Sequence, residues 1–262
     1  MKILNATKIK KIILKKNKLK IICLTAYSKN IAEILDNFTD IILIGDSLGS
    51  VLYNYNSTRD VSINTMIEHS RSARLGIKKS LMVVDMPYKT YRNKNEALKN
   101  ARKIIKLTKC DAVKLEGGRS IIKIVEHLTK NNVHVMGHLG ILPQSVKGKF
   151  VIKGKKISER KKIFNDAKLL ESKGVFSIVL ECVETSLAKQ ISKSLKIPII
   201  GIGSSIYCDG QVLVTDDLLG INETKVKFVK KFGSIKKNIK NAIQKYKYEV
   251  INKKFPTKKY SY

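Results

Sequence analysis

Tryptophan is absent from this chain of 262 residues, and aromatic residues make up only 6% of it. Surfaces that hold single-stranded nucleic acid stack bases on aromatic rings, so this scarcity argues against that class. Arginine is scarce too: Arg59, Arg71, Arg74, Arg92, Arg102, Arg119 and Arg160 stand among 52 basic residues. Nucleic-acid recognition leans on the bidentate fork of Arg, so the formal charge of +31 says less about partners than its size suggests. The lysines run from end to end and rise together with Ile and Asn, as compositional drift in a genome biased towards A and T would produce. No specific nucleic-acid partner is expected; weak polyanion binding at low salt follows from the charge alone.

Cysteine is sparse as well. Cys23, Cys110, Cys182 and Cys208 lie far apart without CxxC spacing, which argues against a zinc site or a disulfide framework and fits a reducing compartment. No run reaches the roughly 18 apolar residues that a membrane span needs. The opening MKILNATKIKKIILKKNK mixes lysines through its apolar positions and offers no continuous h-region or cleavage site. A cytoplasmic protein with no membrane partner is expected.

What the chain does have is a succession of short apolar runs: Ile21 to Thr25, Ile41 to Gly45, Leu81 to Asp85, Ala112 to Glu116, Val133 to His138, Ser177 to Glu181, Ile197 to Gly203 and a weaker Gln211 to Val214. Runs of this length read as strands buried on both faces, which belong to parallel sheets. Segments of helical period lie between them: Asn64 to Gly76, Lys94 to Lys109, Ile121 to Lys130, Lys161 to Lys173 and Thr185 to Leu195. Such alternation implies right-handed crossovers. Eight strands and this length suit an α/β fold, a single (β/α)8 TIM barrel over 1–262 with a basic C-terminal helix and tail from Lys225 to Tyr262. An open doubly wound sheet is the alternative, but the first strand is followed by TAYSKN and not by a dinucleotide-binding GxGxxG loop. The aperiodic segment from Leu139 to Lys156 suits a loop over the active face.

Three of the runs end in acids. IILIGDS closes on Asp46 and Ser47, LMVVDMP has Asp85, and VKLEGG has Lys114 and Glu116. In a parallel barrel these groups collect at the carboxyl ends of the strands. An acid after a strand often caps the next helix, yet three crowded carboxylates raise one another's pKa values unless a hard divalent cation sits among them. A Mg2+-type oxygen site is therefore expected at Asp46, Asp85 and Glu116, with Lys114 beside it to pair with an anionic substrate group. Ser47 reads either as a helix cap or as a donor to a substrate carboxylate. His138 and Glu181 close the fifth and sixth runs; Glu181 ends a strongly apolar strand, where partial desolvation favours a general base. A metal, a lysine and a separate glutamate together suggest proton abstraction beside a carbonyl, with the metal holding a 2-oxo acid and stabilising its enolate. Several metal-dependent aldolases and lyases satisfy that much.

The strings LTAYS at Leu24, GDSLG at Gly45, DMPY at Asp85, VKLEGG at Val113, VMGHLGILPQSV at Val135, VLECV at Val179, IPIIGIGSS at Ile197, CDGQVLV at Cys208 and FP at Phe255 occur in this order. Together they resemble the ketopantoate hydroxymethyltransferase family along nearly the whole chain. The resemblance implies a barrel of the phosphoenolpyruvate/pyruvate type that transfers a one-carbon unit from 5,10-methylenetetrahydrofolate to 3-methyl-2-oxobutanoate, giving 2-dehydropantoate and tetrahydrofolate, the first committed step of pantothenate synthesis. It implies Asp46 and Asp85 as Mg2+ positions with Glu116 in the same sphere, direct or through water. It further implies Ser47 and Lys114 as contacts to the oxo acid, Glu181 as proton acceptor, His138 near the substrate, and a homo-oligomer, commonly a decamer. Two departures from the family pattern stand out. GIGSS at Gly201 to Ser205 replaces the usual GIGAG and is expected to narrow that turn and weaken folate contacts. The loop after Val146 is expected to be shorter, with an altered lid.

Overall fold

The computed structural model describes residues 2–145, 151–223 and 226–262. Eight strands close a parallel barrel in sequence order: β1 (Ile21–Thr25), β2 (Ile41–Ile44), β3 (Leu81–Asp85), β4 (Ala112–Glu116), β5 (Val135–Gly140), β6 (Ser177–Glu181), β7 (Ile199–Ile202) and β8 (Gly210–Leu213). The helices are α1 (Lys2–Leu14), α2 (Lys29–Leu35), α3 (Leu48–Tyr53), α4 (Ile63–Gly76), α5 (Lys94–Thr108), α6 (Ile122–Lys130), α7 (Ile157–Ser172), α8 (Thr185–Ser194), α9 (Thr215–Leu218) and α10 (Ile235–Ile251). The chain forms two compact units, Met1–Leu213 and Val214–Tyr262. The first holds the whole barrel; the second holds α9, α10 and a basic end that includes Lys258 and Lys259. None of the helices among the described residues is long and apolar enough to cross a membrane, and the four cysteines are buried free thiols.

β2, β3 and β4 are buried at every position because each is covered on both faces. Outward side chains such as Ile42, Val84, Val113, Leu115 and Leu180 pack with Ala101, Ile104, Leu128, Leu170 and Ile191 of the surrounding helices. Inward side chains, among them Ile41, Leu43, Leu81, Val83, Ala112, Met136, Val179 and Ile200, form a second cluster inside the barrel.

Ile9 and Ile12 of α1 belong to that inner cluster. Three lysines of this end of the chain reach residues that immediately precede strands: Lys8 donates to the Ser80 carbonyl (2.8 Å), Lys15 pairs with Asp40, and Lys16 pairs with Asp209 (2.6 Å). The helix thus covers the amino-terminal end of the barrel. Lysines between its apolar positions obscure its period, and this is why no helix is expected there from the sequence. Asp209 also accepts from the Ile199 N–H (2.8 Å) and from Ser192 Oγ (3.0 Å), so the buried ion pair is tied to β7 and α8. Asp209→Ala strands a buried ammonium, a loss of about 3 to 5 kcal/mol. Urea denaturation of the variant should show a large drop in midpoint; an unchanged midpoint would mean that Lys16 escapes to solvent.

Several boundaries move from their sequence-based positions. β5 begins at Val135 and extends through Leu139 and Gly140, which pair with Leu180 and Glu181 of β6, so the irregular stretch starts later than expected. α7 begins at Ile157, four residues early, because its first turn is polar and carries no apolar period. The short α2 and α3 escape a periodicity reading for lack of length, and β7 runs to β8 through turns at 203–209 without a helix. In the C-terminal stretch the helix is α10, Ile235–Ile251.

Candidate active site

Alternation along the strands delivers the polar groups to one place. Val83, Ala112, Met136 and Val179 face the barrel interior, and side chains repeat every second residue. Two residues further on, the same inward face carries Asp85, Lys114, His138 and Glu181; Glu116 follows Lys114 by two more. Register keeps them level: Asp85 lies beside Lys114 across β3 and β4, and Glu116 beside His138 across β4 and β5. Asp46 arrives in the turn after β2, where its N–H donates to Asp85 Oδ2 at 3.1 Å. The carboxyl-terminal mouth of the barrel therefore gathers Asp46, Asp85, Lys114, Glu116, His138 and Glu181, all the ionisable groups singled out above.

None of the three acids caps a helix, since the N-cap positions of α3, α5 and α6 are held by Ser47, Asn93 and Ile121. Lys114 Nζ lies 2.9 Å from Asp85 Oδ1, an ion pair without hydrogen-bond alignment, because this buried oxygen has no hydrogen-bond partner. Burial pushes the Asp46 carboxyl up to about 7, with Asp85 adding to the rise and Lys114 and a Gln144 hydrogen bond opposing it. Burial and then Asp46 also hold Glu116 well above the usual carboxylate range. Burial pulls Lys114 down, but Asp85, Glu116 and Asp46 outweigh it and keep the ammonium charged. The His138 ring is pushed below its ordinary value by burial and by Lys114, so it is neutral at pH 7.

These shifts fix a pH dependence. An unfolded aspartate titrates near 3.8, whereas folded Asp46 does so at about 7. Its contribution to stability is complete below the unfolded value and is lost as the pH rises through about 7. Metal-free protein should therefore melt lower at about pH 8 than at about pH 6, and Asp46→Asn should reduce that difference. Equal pH slopes for wild type and Asp46→Asn in thermal melts would rule out Asp46 as the source.

Among the described residues no group of three or more His, Cys, Asp and Glu side chains stands arranged to hold a metal ion. Lys114 and the Gln144 amide supply the positive ends beside Asp85 and Asp46. Asp46 and Asp85 still fit a hard cation. Asp85 Oδ1 accepts no aligned hydrogen bond although Lys114 Nζ stands 2.9 Å away, Asp46 engages Gln144 through Oδ2, and Mg2+ typically takes only one or two protein carboxylates, filling its shell with water and substrate. Glu116 accepts the Gln144 N–H at Oε2 (3.0 Å), and its Oε1 lies 3.7 Å from His138 Nδ1.

His138 spans the site. Its Nδ1 is 3.4 Å from Lys114 Nζ, and its Nε2 is 3.2 Å from Glu181 Oε2, again off the hydrogen-bond line. Glu181 is the more open of the two, with 12% of its side chain exposed against 3% for His138. Immediately after it, Cys182 turns the chain with φ of 49°.

Ser47 occupies the N-cap of α3, but its side chain makes no capping bond; its Oγ instead meets Tyr27 Oη at 2.9 Å. A Cβ at Gly45 would come 2.9 Å from Ser47 Oγ and so displace that hydroxyl. In GIGSS, Ser204 Oγ accepts from the Val183 N–H (3.0 Å) and donates to the Val183 carbonyl (3.1 Å), so this side chain ties the turn to the end of β6. Val146 and the loop to 150, where the altered lid is expected, lie outside the described residues.

Residues that the sequence reading left without a role also reach the site. Tyr27 comes from the TAYS string and Gln144 from ILPQSV, while Tyr91 and Arg59 come from loops far away in the chain. Tyr91 donates to Gln144 Oε1, and Arg59 Nε donates to the Gln144 carbonyl (2.7 Å). Tyr91 stays protonated, since burial and then Glu116 push its hydroxyl upwards. Membership of a quoted motif was the only available signal for Tyr27 and Gln144.

Residues 6–258 match the family described as ketopantoate hydroxymethyltransferase. A 3-methyl-2-oxobutanoate hydroxymethyltransferase of Pelagibacter ubique is 63% identical over 255 residues, covering 97% of this chain and 99% of the relative. One from Helicobacter pylori is 43% identical over 251 residues, covering 95% and 93%. Among solved structures, 2,3-dimethylmalate lyase, a PEP mutase/isocitrate lyase superfamily member, superposes with a TM-score of 0.63 at 11% identity over 94% of this chain and 88% of the other. Phosphonopyruvate hydrolase, in complex with oxalate and Mg2+, gives 0.62 at 9% identity over 97% and 93%. These last two show a shared fold.

Proposed function

This chain belongs to the ketopantoate hydroxymethyltransferase family, and from that premise we propose that it transfers a hydroxymethyl group from 5,10-methylenetetrahydrofolate to 3-methyl-2-oxobutanoate, forming 2-dehydropantoate and tetrahydrofolate in pantothenate synthesis. The observation that carries this reading is the convergence of two carboxylates, an ammonium and a more exposed glutamate on one barrel mouth. Asp46 and Asp85 would hold Mg2+, with Glu116 alongside directly or through water, and the bound ion would supply positive charge where negative charge builds on the oxo acid.

The protein's own groups do the rest. Lys114, kept charged, pairs with the anionic substrate, and the Ser47 hydroxyl, left free of capping, donates to its carboxylate. Glu181 accepts the proton from C3, and the electron pair left at C3 forms the new C–C bond to the one-carbon unit; the C–N bonds of its methylene bridge break, tetrahydrofolate leaves, and one water supplies the hydroxyl oxygen. Neutral His138 stands between Lys114 and Glu181 and keeps the proton acceptor close to the substrate without adding a charge. Burial of Asp46, Asp85, Lys114, Glu116 and His138 strengthens the electrostatic interactions within the site.

Exchange of deuterium at C3 of 3-methyl-2-oxobutanoate, with and without Mg2+, tests proton removal by itself. Product formation with and without methylenetetrahydrofolate tests the donor. A barrel enzyme that forms or cleaves a C–C bond without folate would exchange and turn over in its absence. Family membership also supports a cytoplasmic homo-oligomer, a decamer, which sedimentation velocity would check.

A further inference from the structure

Five tethers hold Gln144, which is buried in the loop that leaves β5. Its Nε2 donates to Asp46 Oδ2 (2.8 Å) and to the Met86 carbonyl (2.9 Å), while Oε1 accepts from Tyr91 Oη. The backbone N–H goes to Glu116 Oε2, and the carbonyl accepts from Arg59 Nε. Only one amide orientation satisfies this set. A flipped amide would turn Oε1 against the Asp46 carboxylate and the Met86 carbonyl, both acceptors.

One residue therefore sets the orientation of two of the three acids. The Gln144 bond restrains rotation of the Asp46 carboxylate by holding Oδ2, and its Oδ1 carries no hydrogen bond among the described residues. Asp85 is held in a similar way at Oδ2, which accepts the Asp46 N–H, while its Oδ1 faces Lys114 Nζ at 2.9 Å. Partners behind the ligating carboxylates orient them and set metal affinity, and a neutral amide does so without adding charge.

We propose that Gln144 is a positioning residue for the divalent cation, fixing Asp46 so that one carboxylate oxygen is presented and keeping Glu116 beside it. This rests on the reading of Asp46 and Asp85 as cation ligands. Tyr91 acts one step further out, by locking the amide.

Calorimetric titration of Mg2+ alone into wild type, Gln144→Met and Tyr91→Phe tests the assignment without turnover. Gln144→Met keeps the length of the side chain and the backbone N–H to Glu116 but leaves Asp46 Oδ2 unpaired. Its Kd for Mg2+ should rise about 10- to 100-fold. Tyr91→Phe retains both Nε2 bonds, so its Kd should rise by a smaller factor. An equal or tighter Kd in a folded Gln144→Met overturns the role while the metal reading stands. If wild type binds no Mg2+, the metal reading itself fails and the role falls with it. Should circular dichroism show Gln144→Met unfolded, Tyr91→Phe decides: a wild-type Kd there overturns the proposal.

Discussion

Glu181→Gln should slow C3 deuterium exchange about 10²- to 10⁴-fold, the usual loss when a general base is removed. The substitution keeps shape and hydrogen-bonding capacity, so the site around it stays assembled. Glu181 lies at the end of β6, shares no hydrogen bond with Asp46 or Asp85 among the described residues, and faces His138 Nε2 at 3.2 Å. Binding of the oxo acid and Mg2+ should persist, because Asp46, Asp85, Ser47 and Lys114 are untouched. A fall in exchange with an unchanged dissociation constant for the oxo acid is the expected pattern. Exchange at the wild-type rate would remove Glu181 as the proton acceptor, and His138 would be tested next by His138→Asn.

Asp85→Asn should abolish measurable Mg2+ binding, and with it Mg2+-dependent exchange. Asp85 stands at the junction of the site: Oδ2 receives the Asp46 N–H, and Oδ1, buried and unbonded, faces Lys114. Asn retains the volume and one carbonyl oxygen but loses the charge that a hard cation requires. Its carbonyl oxygen can still accept the Asp46 N–H, so the barrel should stay folded by circular dichroism. Asp85→Ala should give the same loss of binding with a larger cost in stability. Calorimetry that finds the wild-type affinity for Mg2+ in Asp85→Asn would place the cation elsewhere.

The two predictions separate the halves of the proposed chemistry. Loss of Asp85 should remove cation binding and proton exchange together, whereas loss of Glu181 should remove exchange alone. If both variants lost Mg2+ binding equally, Glu181 would belong to the cation site and the assignment of a separate base would fail.

Strands and their acidic ends were legible in the residues themselves. A short run such as LMVVD, apolar up to its closing acid, reads as a strand covered on both sides, and a parallel barrel sends the ends of such strands to one mouth. Alternation then places Lys114 and Glu116 on the same inward face two residues apart. Family strings added roles for Ser47 and His138, which spacing alone left open.

Tertiary structure decided the rest. Gln144 meets Asp46 across 98 positions, from a loop with no period to betray its place. Ser47 reads equally as a cap or as a free hydroxyl until the fold brings Tyr27 against it. The role of α1 was hidden because lysines interrupt its apolar pattern, and Lys8 with Lys15 and Lys16 just beyond the helix find their partners only where the barrel places Ser80, Asp40 and Asp209 at one end. Local sequence determines which face of an element is apolar and where that element stops. Which polar groups from distant elements satisfy one another is set by closure of the barrel, because hydrogen bonds and ion pairs depend on ångström-scale geometry that no single segment contains.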